Sequence, residues 1–495
     1  MIEETESFGY LALFHDDKRG FKSVALAGSL EQLERMLSEE TRNDAEPQLG
    51  ASSTSEKTIE EGLDRRASEL INQFSEALTS IRSMIAFTGM VMPLARTVFI
   101  EGRLKEFAEN NLKNIKSDAR VVVYSYDRNQ FVDVKKLIGE YLELVNGHAA
   151  LPKAILLSLV STFDSFFAEI IRFFLSVHPE RYTSSDRQIS MKEVLTKKSI
   201  EEVIEHIIGE EINDLMRGSH TEQVKFVEEI LKVKIIGHYE RWPNFVEIFE
   251  RRNLVAHGNL IVNTTYLKRC KEAKLTDIDK FEIGATLTLG PGYLNKALDI
   301  LIEFGVLLVF TLWKKHIPDS DEKAFEHLGR VAYDFIVKKR PRLAKNLLEF
   351  ALYKQNKTCS EKIRKMMTIN LANANKKLKK DDECKRILDG TDWSAANNEF
   401  QICIASLRGD TRRVVELMPS VAASGVVTAS EFREWPVFDW IREDPVIIEA
   451  FERVYNEPMR KNLQETVFTE NVGQATKIDA DAAAAKSETI GNPPP

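Results

Sequence analysis

Two long apolar stretches constrain the fold of this chain more than any other feature. They cover residues 156–177 and 300–313. Ionisable residues interrupt both, since Asp164 lies in the first and Glu303 in the second. The second stretch is also shorter than the ~20 residues that a membrane span needs. The pattern therefore predicts two buried core helices in a mainly α-helical protein, and it predicts no membrane partner.

A short motif between these stretches combines a fixed cation, an amide and a titratable ring. It is RRNLVAHGN, residues 251–259, at the end of the amphipathic segment WPNFVEIFERRNLVAH. Arginine keeps its charge and matches phosphate geometry, whereas imidazole exchanges protons near neutral pH. Asn253 and His257 are four residues apart and share a helix face, and the long side chain of Arg252 can reach the same pocket. The motif predicts phosphodiester chemistry, with Gly258 as a left-handed helix cap.

This motif, Arg-Asn-x-x-x-His followed by Gly-Asn-x-x-Val-Asn, resembles the R-x4-H ribonuclease motif of HEPN domains. Upstream, LPKAILLSLVSTFDSFFAEIIRFFLSVHPE resembles the long first helix of these domains. Asp164 stands there at a position where several members carry an acidic residue that faces the motif. Downstream, LNKALDILIEFGVLLVFTLWKKH is similar to their closing apolar helix. The resemblance covers residues 151–316 and implies a central helical bundle that cleaves RNA.

The resemblance also implies roles for the motif residues. In the family, two domains pair and cut RNA without a metal ion, by attack of the RNA's own 2′-hydroxyl. His257 would move protons, and Arg252 would hold the phosphate. Asn253 would orient the imidazole or the phosphate. Asp164 would support the site, and no cofactor is expected. The further predicted substrate contacts are Arg251 and Asn259.

The N-terminal third contains short strands and long helices but no motif that indicates a function. The runs FGYLALF and FKSVALAG, joined by HDDKRG, predict a β-hairpin, and SLEQLERMLSEE predicts a helix. Residues 40–57 have the composition of a polar linker. A long helical stretch is expected over residues 58–114, with an interruption near residues 89–93, and a strand over residues 119–127.

Helix pairs are predicted after the second apolar stretch. Leu378 and Leu388 match Leu407 and Leu417 at an offset of 29 residues, which favours stacked helical hairpins. The region is similar to tetratricopeptide repeats, but its offset is shorter and the signature Trp, Gly and Tyr positions are unmatched. Arrays of this kind mostly bind proteins or peptides. A protein or peptide partner is therefore expected on the helical repeats.

These observations divide the chain into five predicted segments. They are a small mixed α/β N-terminal region with its linker (1–57), a connecting region of helices and a strand (58–148), a HEPN-like domain (149–317), a helical-repeat domain (318–457) and a disordered tail (458–495).

Composition and residue spacing limit the partners, the compartment and the metal sites that can be expected. The net charge of −8 provides no global basic field, so any contact with RNA must be local. The four cysteines have no paired spacing, and the N-terminus lacks a secretion signal, which favours the cytoplasm. The acidic segment at residues 199–216 alternates with an apolar face, which indicates a solvated helix and no metal site. His220 and His238 have no spacing that supports metal ligation, and no chemistry is assigned to them.

The function that we expect is that of a metal-independent endoribonuclease. Because the chain contains one motif, a complete site implies a homodimer or higher oligomer that acts on RNA. The resemblance suggests a prokaryotic antiviral defence or toxin effector. The alternative is a noncatalytic scaffold that dimerises and holds a protein on its repeats. A third function, nucleotide transfer to protein, would need a partner nucleotidyltransferase or an acidic metal pair, and the sequence contains neither.

Overall fold

The chain forms two compact units. A computed structural model describes residues 10–16, 20–27, 56–95, 102–117, 122–126, 128–178, 190–258, 260–354 and 358–460. The larger unit comprises Ser55–Ala396, and the smaller one comprises Met1–Thr54 with Asn397–Pro495. The protein is mainly α-helical, as predicted, with two small antiparallel sheets among the described residues.

Helices form where apolar residues recur at helical spacing. Those of the larger unit are α1 (Glu56–Ala95), α2 (Gly102–Asn111), α3 (Phe131–Ser176), α4 (Met191–Leu195), α5 (Ile200–Met216), α6 (His220–Ile230), α7 (Trp242–Gly258), α8 (Thr264–Glu272), α9 (Pro291–His316), α10 (Asp321–Val337), α11 (Pro341–Glu349), α12 (Glu361–Lys377) and α13 (Asp381–Asp389). Those of the smaller unit are α14 (Asn398–Arg408), α15 (Thr411–Ala423), α16 (Ala429–Glu434) and α17 (Pro445–Tyr455).

Each small sheet is a hairpin. β1 (Tyr10–Asp16) pairs with β2 (Gly20–Ala27), which confirms the predicted N-terminal hairpin. β3 (Lys113–Ser117) pairs with β4 (Val122–Ser125), which confirms the predicted strand and gives it a partner that the sequence pattern did not indicate. The helix predicted after the first hairpin, most of the linker and the tail beyond residue 460 lie outside the described residues.

Helices α1, α3, α7 and α9 pack together as the core of the larger unit. Phe163 of α3 lies at the centre, 1% exposed. Its ring centroid is 6.1 Å from that of Phe74 on α1, 5.4 Å from Phe245 on α7 and 6.1 Å from Phe304 on α9. Both apolar stretches are therefore core helices, as the sequence predicted.

Two helices extend beyond their predicted limits. α1 continues through Gly89 to Ala95, so the interruption predicted near that glycine is wrong. α3 begins at Phe131, and the predicted boundary at residue 149 falls inside this helix. α3 is also, among the described residues, the one helix long and apolar enough to cross a membrane, and 50% of its most apolar window is buried inside the protein.

Two carboxylates tie the four-helix core to the helices that follow it. Asp64 of α1 accepts a hydrogen bond from Trp313 Nε1 of α9 (2.6 Å) and pairs with Lys323 of α10 (2.5 Å). Asp299 of α9 pairs with Arg82 of α1 at 3.5 Å and with Arg340, which directly precedes α11. The core and the first helical hairpin thus belong to one compact unit.

Helical hairpins follow the core, as predicted. The turns of α10–α11, α12–α13 and α14–α15 each contain a left-handed residue: Lys339, Lys379 and Gly409, with φ of 57°, 59° and 72°. The first two turns are 40 residues apart, and the second and third are 30 residues apart. The offset of 29 residues predicted between the second and third hairpins is therefore wrong by one residue. The first two hairpins pack against each other in the larger unit, and α14–α15 belongs to the smaller unit.

Gly305 of α9 is a close-approach point in the core. A Cβ atom there would lie 2.5 Å from Phe74 Cε1 and 2.7 Å from Phe166 Cε1. We expect Gly305→Ala to lower the free energy of unfolding by about 1–3 kcal/mol, because the steric cost exceeds the gain in helix propensity. Chemical denaturation followed by circular dichroism measures this change. Gly209→Ala on α5 is the control, since nothing lies within 4 Å of its added Cβ, and equal stability of the two variants would contradict the prediction.

Candidate functional site

A cleft of about 280 Å³ opens beside α3, α7 and the start of α6. It is assembled from segments far apart in the sequence, because α3, the α5–α6 turn, α7 and α8 all contribute side chains. Its charged and polar lining includes Asp164, Arg217, His220, Glu250, Arg252, Asn253 and Arg269.

A histidine and a carboxylate form the shortest polar contact in the cleft lining. His220 Nε2 donates a hydrogen bond to Asp164 Oδ1 across 2.6 Å. Because a carboxylate accepts but does not donate, this bond assigns the ring proton to Nε2. The other ring nitrogen, Nδ1, makes no hydrogen bond to any residue that the structure describes. An imidazole held in this tautomer can accept a proton at Nδ1.

The imidazole of His220 is fixed from two sides. His220 is the first residue of α6, and Ser219 caps that helix in a capping box with Glu222. The ring stacks on Phe249 of α7 with 3.5 Å between centroids and 18° between planes. The side chain is 11% exposed. Local helix capping and tertiary packing therefore set the orientation of the ring.

Burial lowers the pKa of His220 below its ordinary value. The hydrogen bond and charge of Asp164 oppose this shift, whereas the positive charge of Arg252 adds to it. The imidazole is consequently neutral at physiological pH and can act as a proton acceptor there.

Arg252 contributes a guanidinium that is only partly engaged. Its Nη2 lies 3.8 Å from Asp164 Oδ2, which is too long for a hydrogen bond but close enough for charge attraction. Its Nε is buried and has no hydrogen-bond partner among the described residues. The Arg252 side chain as a whole is 27% exposed, so the outer part of its guanidinium is open to an oxyanion ligand in the cleft.

A second guanidinium reaches the cleft from α8. Arg269 Nη1 donates to Glu250 Oε1 at 3.0 Å, and Glu250 is itself buried. The side chain of Arg269 remains 44% exposed. With Arg217 from the α5–α6 turn, three arginines and two carboxylates line the cleft. The lining thus carries one more positive than negative charge, and Arg217 is also paired with Asp214 at 3.3 Å.

Arg251 faces away from the cleft that Arg252 lines. Its Nε donates to Glu247 Oε1 (2.6 Å), and its Nη1 donates to the carbonyl oxygen of Thr288 (3.0 Å). The guanidinium also lies 3.9 Å from the centroid of the Tyr293 ring. Arg251 is 8% exposed and fully engaged in this network. The prediction that Arg251 contacts substrate disagrees with this placement. Successive helix residues point about 100° apart, so Arg251 and Arg252 leave the helix in different directions.

His257 lies at the exposed C-terminal end of α7, outside the cleft of its own chain. It follows Asn253 by one helical turn on the same face. Gly258 is still helical, and the left-handed residue is Leu260 (φ 67°), whose N–H bonds the carbonyl of Leu254 at 3.1 Å. The predicted left-handed cap at Gly258 is therefore wrong, since Leu260, two positions later and buried, adopts that conformation. The predicted contact Asn259 lies outside the described residues.

Three predicted site residues, Asp164, Arg252 and Asn253, thus line one cleft. His220 also lines it, although the sequence pattern assigned it no chemistry. The signal that could have found it is Ser219-x-x-Glu222, a capping box that puts His220 on the first turn of a helix. Its partner Asp164 is 56 residues away, a separation that no local pattern can bridge.

All four cysteines are free and buried. Within the described ranges, no group of three or more His, Cys, Asp or Glu side chains is placed to hold a metal ion. Comparisons with protein-family models, with curated proteins and with solved structures find no match to this chain.

Proposed function

We propose that this protein is an endoribonuclease of the HEPN type, which cuts RNA by attack of the 2′-hydroxyl on the adjacent phosphate. The observation that carries the proposal is the convergence of Arg252, Asn253 and Asp164 on one cleft. A planar guanidinium that is partly exposed in the cleft suits a phosphate oxygen, and a nearby amide can orient the ribose or the phosphate. In this proposal RNA is the substrate, and neither a cofactor nor a metal ion takes part.

A composite site in a homodimer is part of the proposal. His257 is exposed and lies outside the cleft formed by its own chain. A second copy facing the cleft could present its His257 to the phosphate bound by Arg252. This arrangement would give each site a phosphate-binding arginine from one copy and a proton-transferring histidine from the other.

Cleavage of defined RNA tests the proposal. The full chain is incubated in EDTA with a single-stranded RNA, with a DNA of the same base sequence and with the 2′-O-methylated RNA. We expect cleavage of the RNA alone, because both other substrates lack a free 2′-hydroxyl. The products should carry 2′,3′-cyclic phosphate and 5′-hydroxyl ends. Cleavage of the DNA would contradict the mechanism.

Arg252→Ala is the decisive variant in that assay. Removing a group that stabilises developing charge lowers turnover by about 10²- to 10³-fold. Arg386→Ala is the matched control, because Arg386 is an exposed arginine of the same unit outside the cleft. Equal activity of Arg252→Ala and Arg386→Ala would exclude the cleft as the site of cleavage.

A cytoplasmic role as an antiviral defence or toxin effector is the biological setting that we propose. Cells that express the parent should lose RNA integrity and stop growing, whereas cells that express Arg252→Ala should not. This assay also covers an enzyme that needs a cellular trigger.

The scaffold is the second candidate, and the packed hairpins α10–α11 and α12–α13 favour it. Such hairpins present surfaces that bind proteins or peptides. A parent that cuts no RNA in the purified system and leaves cellular RNA intact would favour this function over catalysis.

A further inference from the structure

His220, which the motif does not include, faces the cleft as an oriented imidazole. We propose that His220 is the base that takes the proton of the attacking 2′-hydroxyl, with Asp164 as its positioning residue. This inference rests on the proposed ribonuclease function and adds a catalytic residue to it.

The geometry of the pair supports this role. Asp164 Oδ1 accepts from His220 Nε2 at 2.6 Å, which fixes the tautomer and leaves Nδ1 as the proton acceptor. Stacking on Phe249, 3.5 Å between centroids, prevents the ring from turning away. Arg252 Nη2 lies 3.8 Å from the other oxygen of the same carboxylate. One carboxylate thus contacts both the imidazole and the phosphate-binding guanidinium and keeps the two groups in the same part of the cleft, as a site for one nucleotide requires.

The surroundings keep the ring in its basic form. The groups that act on its charge are Asp164 from α3 and Glu250 and Arg252 from α7. Burial lowers the pKa of His220, and the two carboxylates only partly offset this effect. The ring also occupies the first position of α6, where the helix dipole disfavours a positive charge.

The proposed step is balanced without a further reactant. The 2′-oxygen forms a bond to phosphorus, and its proton passes to His220 Nδ1. The bond between phosphorus and the 5′-oxygen of the next nucleotide breaks. His257 gives that oxygen a proton, so the products are a 2′,3′-cyclic phosphate and a 5′-hydroxyl. Arg252 stays bound to the phosphate oxygens throughout. His220 therefore acts as the base and His257 as the acid in one turnover.

His220→Gln and His220→Ala test the proposal in the full chain. Glutamine can still donate to Asp164 but cannot exchange a proton near neutral pH. We expect both variants to lower kcat on RNA by about 10²- to 10⁴-fold. Their Kd for the uncleavable 2′-O-methyl RNA should not change. His220→Ala should melt below the parent, because it loses the stacking on Phe249 and the hydrogen bond to Asp164, and His220→Gln, which keeps a donor to Asp164, should melt closer to the parent. Asp164→Asn should give a smaller loss of kcat.

Two further readouts separate a base from a structural residue. The kcat of the parent should rise with pH through an acid limb below about pH 6.5, because the pKa of His220 lies below its ordinary value. His220→Gln should lack that limb. Added imidazole should restore part of the activity of His220→Ala, because a diffusible base can enter the vacated space.

The outcomes distinguish this inference from the function on which it rests. If the parent cuts RNA and folded His220→Gln cuts at the same rate, His220 is not the base and the proposed ribonuclease function stands. If His220→Gln is slower but its residual activity keeps the acid limb, and if His220→Ala is not rescued, the residue acts structurally. If the parent does not cut RNA under any condition above, both proposals fail.

Discussion

His257→Ala is expected to lower RNA cleavage by about 10²- to 10⁴-fold, the contribution of a positioned acid or base. The side chain is exposed at the end of α7, so its removal should leave the melting temperature unchanged. His148→Ala is the control, because His148 is likewise an exposed histidine on a helix of the larger unit. Full activity of His257→Ala beside an active parent would remove this residue from the mechanism.

Mixing two inactive variants tests whether His257 acts across a dimer. In a heterodimer of Arg252→Ala and His257→Ala chains, one of the two composite sites regains both an arginine and a histidine. We therefore expect activity to reappear on mixing after the subunits exchange. If both residues served the same chain, every site in the mixture would lack one of them and no activity would return. Sedimentation of the parent gives the oligomeric state in the same buffer.

The largest effect on stability is expected at Glu247. Its carboxylate accepts from Arg251 Nε at 2.6 Å and from the hydroxyls of Tyr266 and Tyr293, both at 2.9 Å. Glu247→Ala leaves the buried guanidinium of Arg251 without its counterion. Removing one partner of a buried ion pair costs about 3–5 kcal/mol, so the free energy of unfolding should fall by that amount.

Denaturant unfolding of Glu247→Ala measures this loss. Glu69→Ala is the control, because Glu69 pairs with Arg65 and Arg66 on the exposed face of α1. An exposed pair contributes only about 0.2–1 kcal/mol. A loss at Glu247 no greater than that at Glu69 would mean that Arg251 finds water or another acceptor when the carboxylate is gone.

The core and the hairpins were predictable because they depend on local periodicity. The runs that form α3 and α9 are apolar at helical spacing. The two strands within residues 10–27 are short apolar runs on either side of a polar turn. The limits of α3 were less predictable. Residues 131–154 of this helix carry no buried side chain, and apolar residues there such as Ile138 and Leu142 remain exposed, so packing within the described residues does not mark where the helix begins.

The candidate site was predictable only in part, for a physical reason. Arg252, Asn253 and Asp164 were found together, since the motif and the first long helix identify them. The sequence could not show that Arg252 lines the cleft whereas Arg251 is bound in the core, because the partners of Arg251 include Thr288 and Tyr293, far along the chain. His220 was missed because tertiary packing alone brings its ring to Asp164.

The carboxylates of Asp64 and Asp299 have a consequence for how this chain can be divided. A fragment trimmed to residues 149–317 would lose α1, and with it the acceptor of Trp313 and the Phe74 ring that packs over Gly305. It would also lose Arg82 and Arg340, the two cations that neutralise Asp299. The apolar side of α9 would then meet water. The four-helix bundle is accordingly not a transplantable module, and its smallest cooperative folding unit includes the helices on both sides of it.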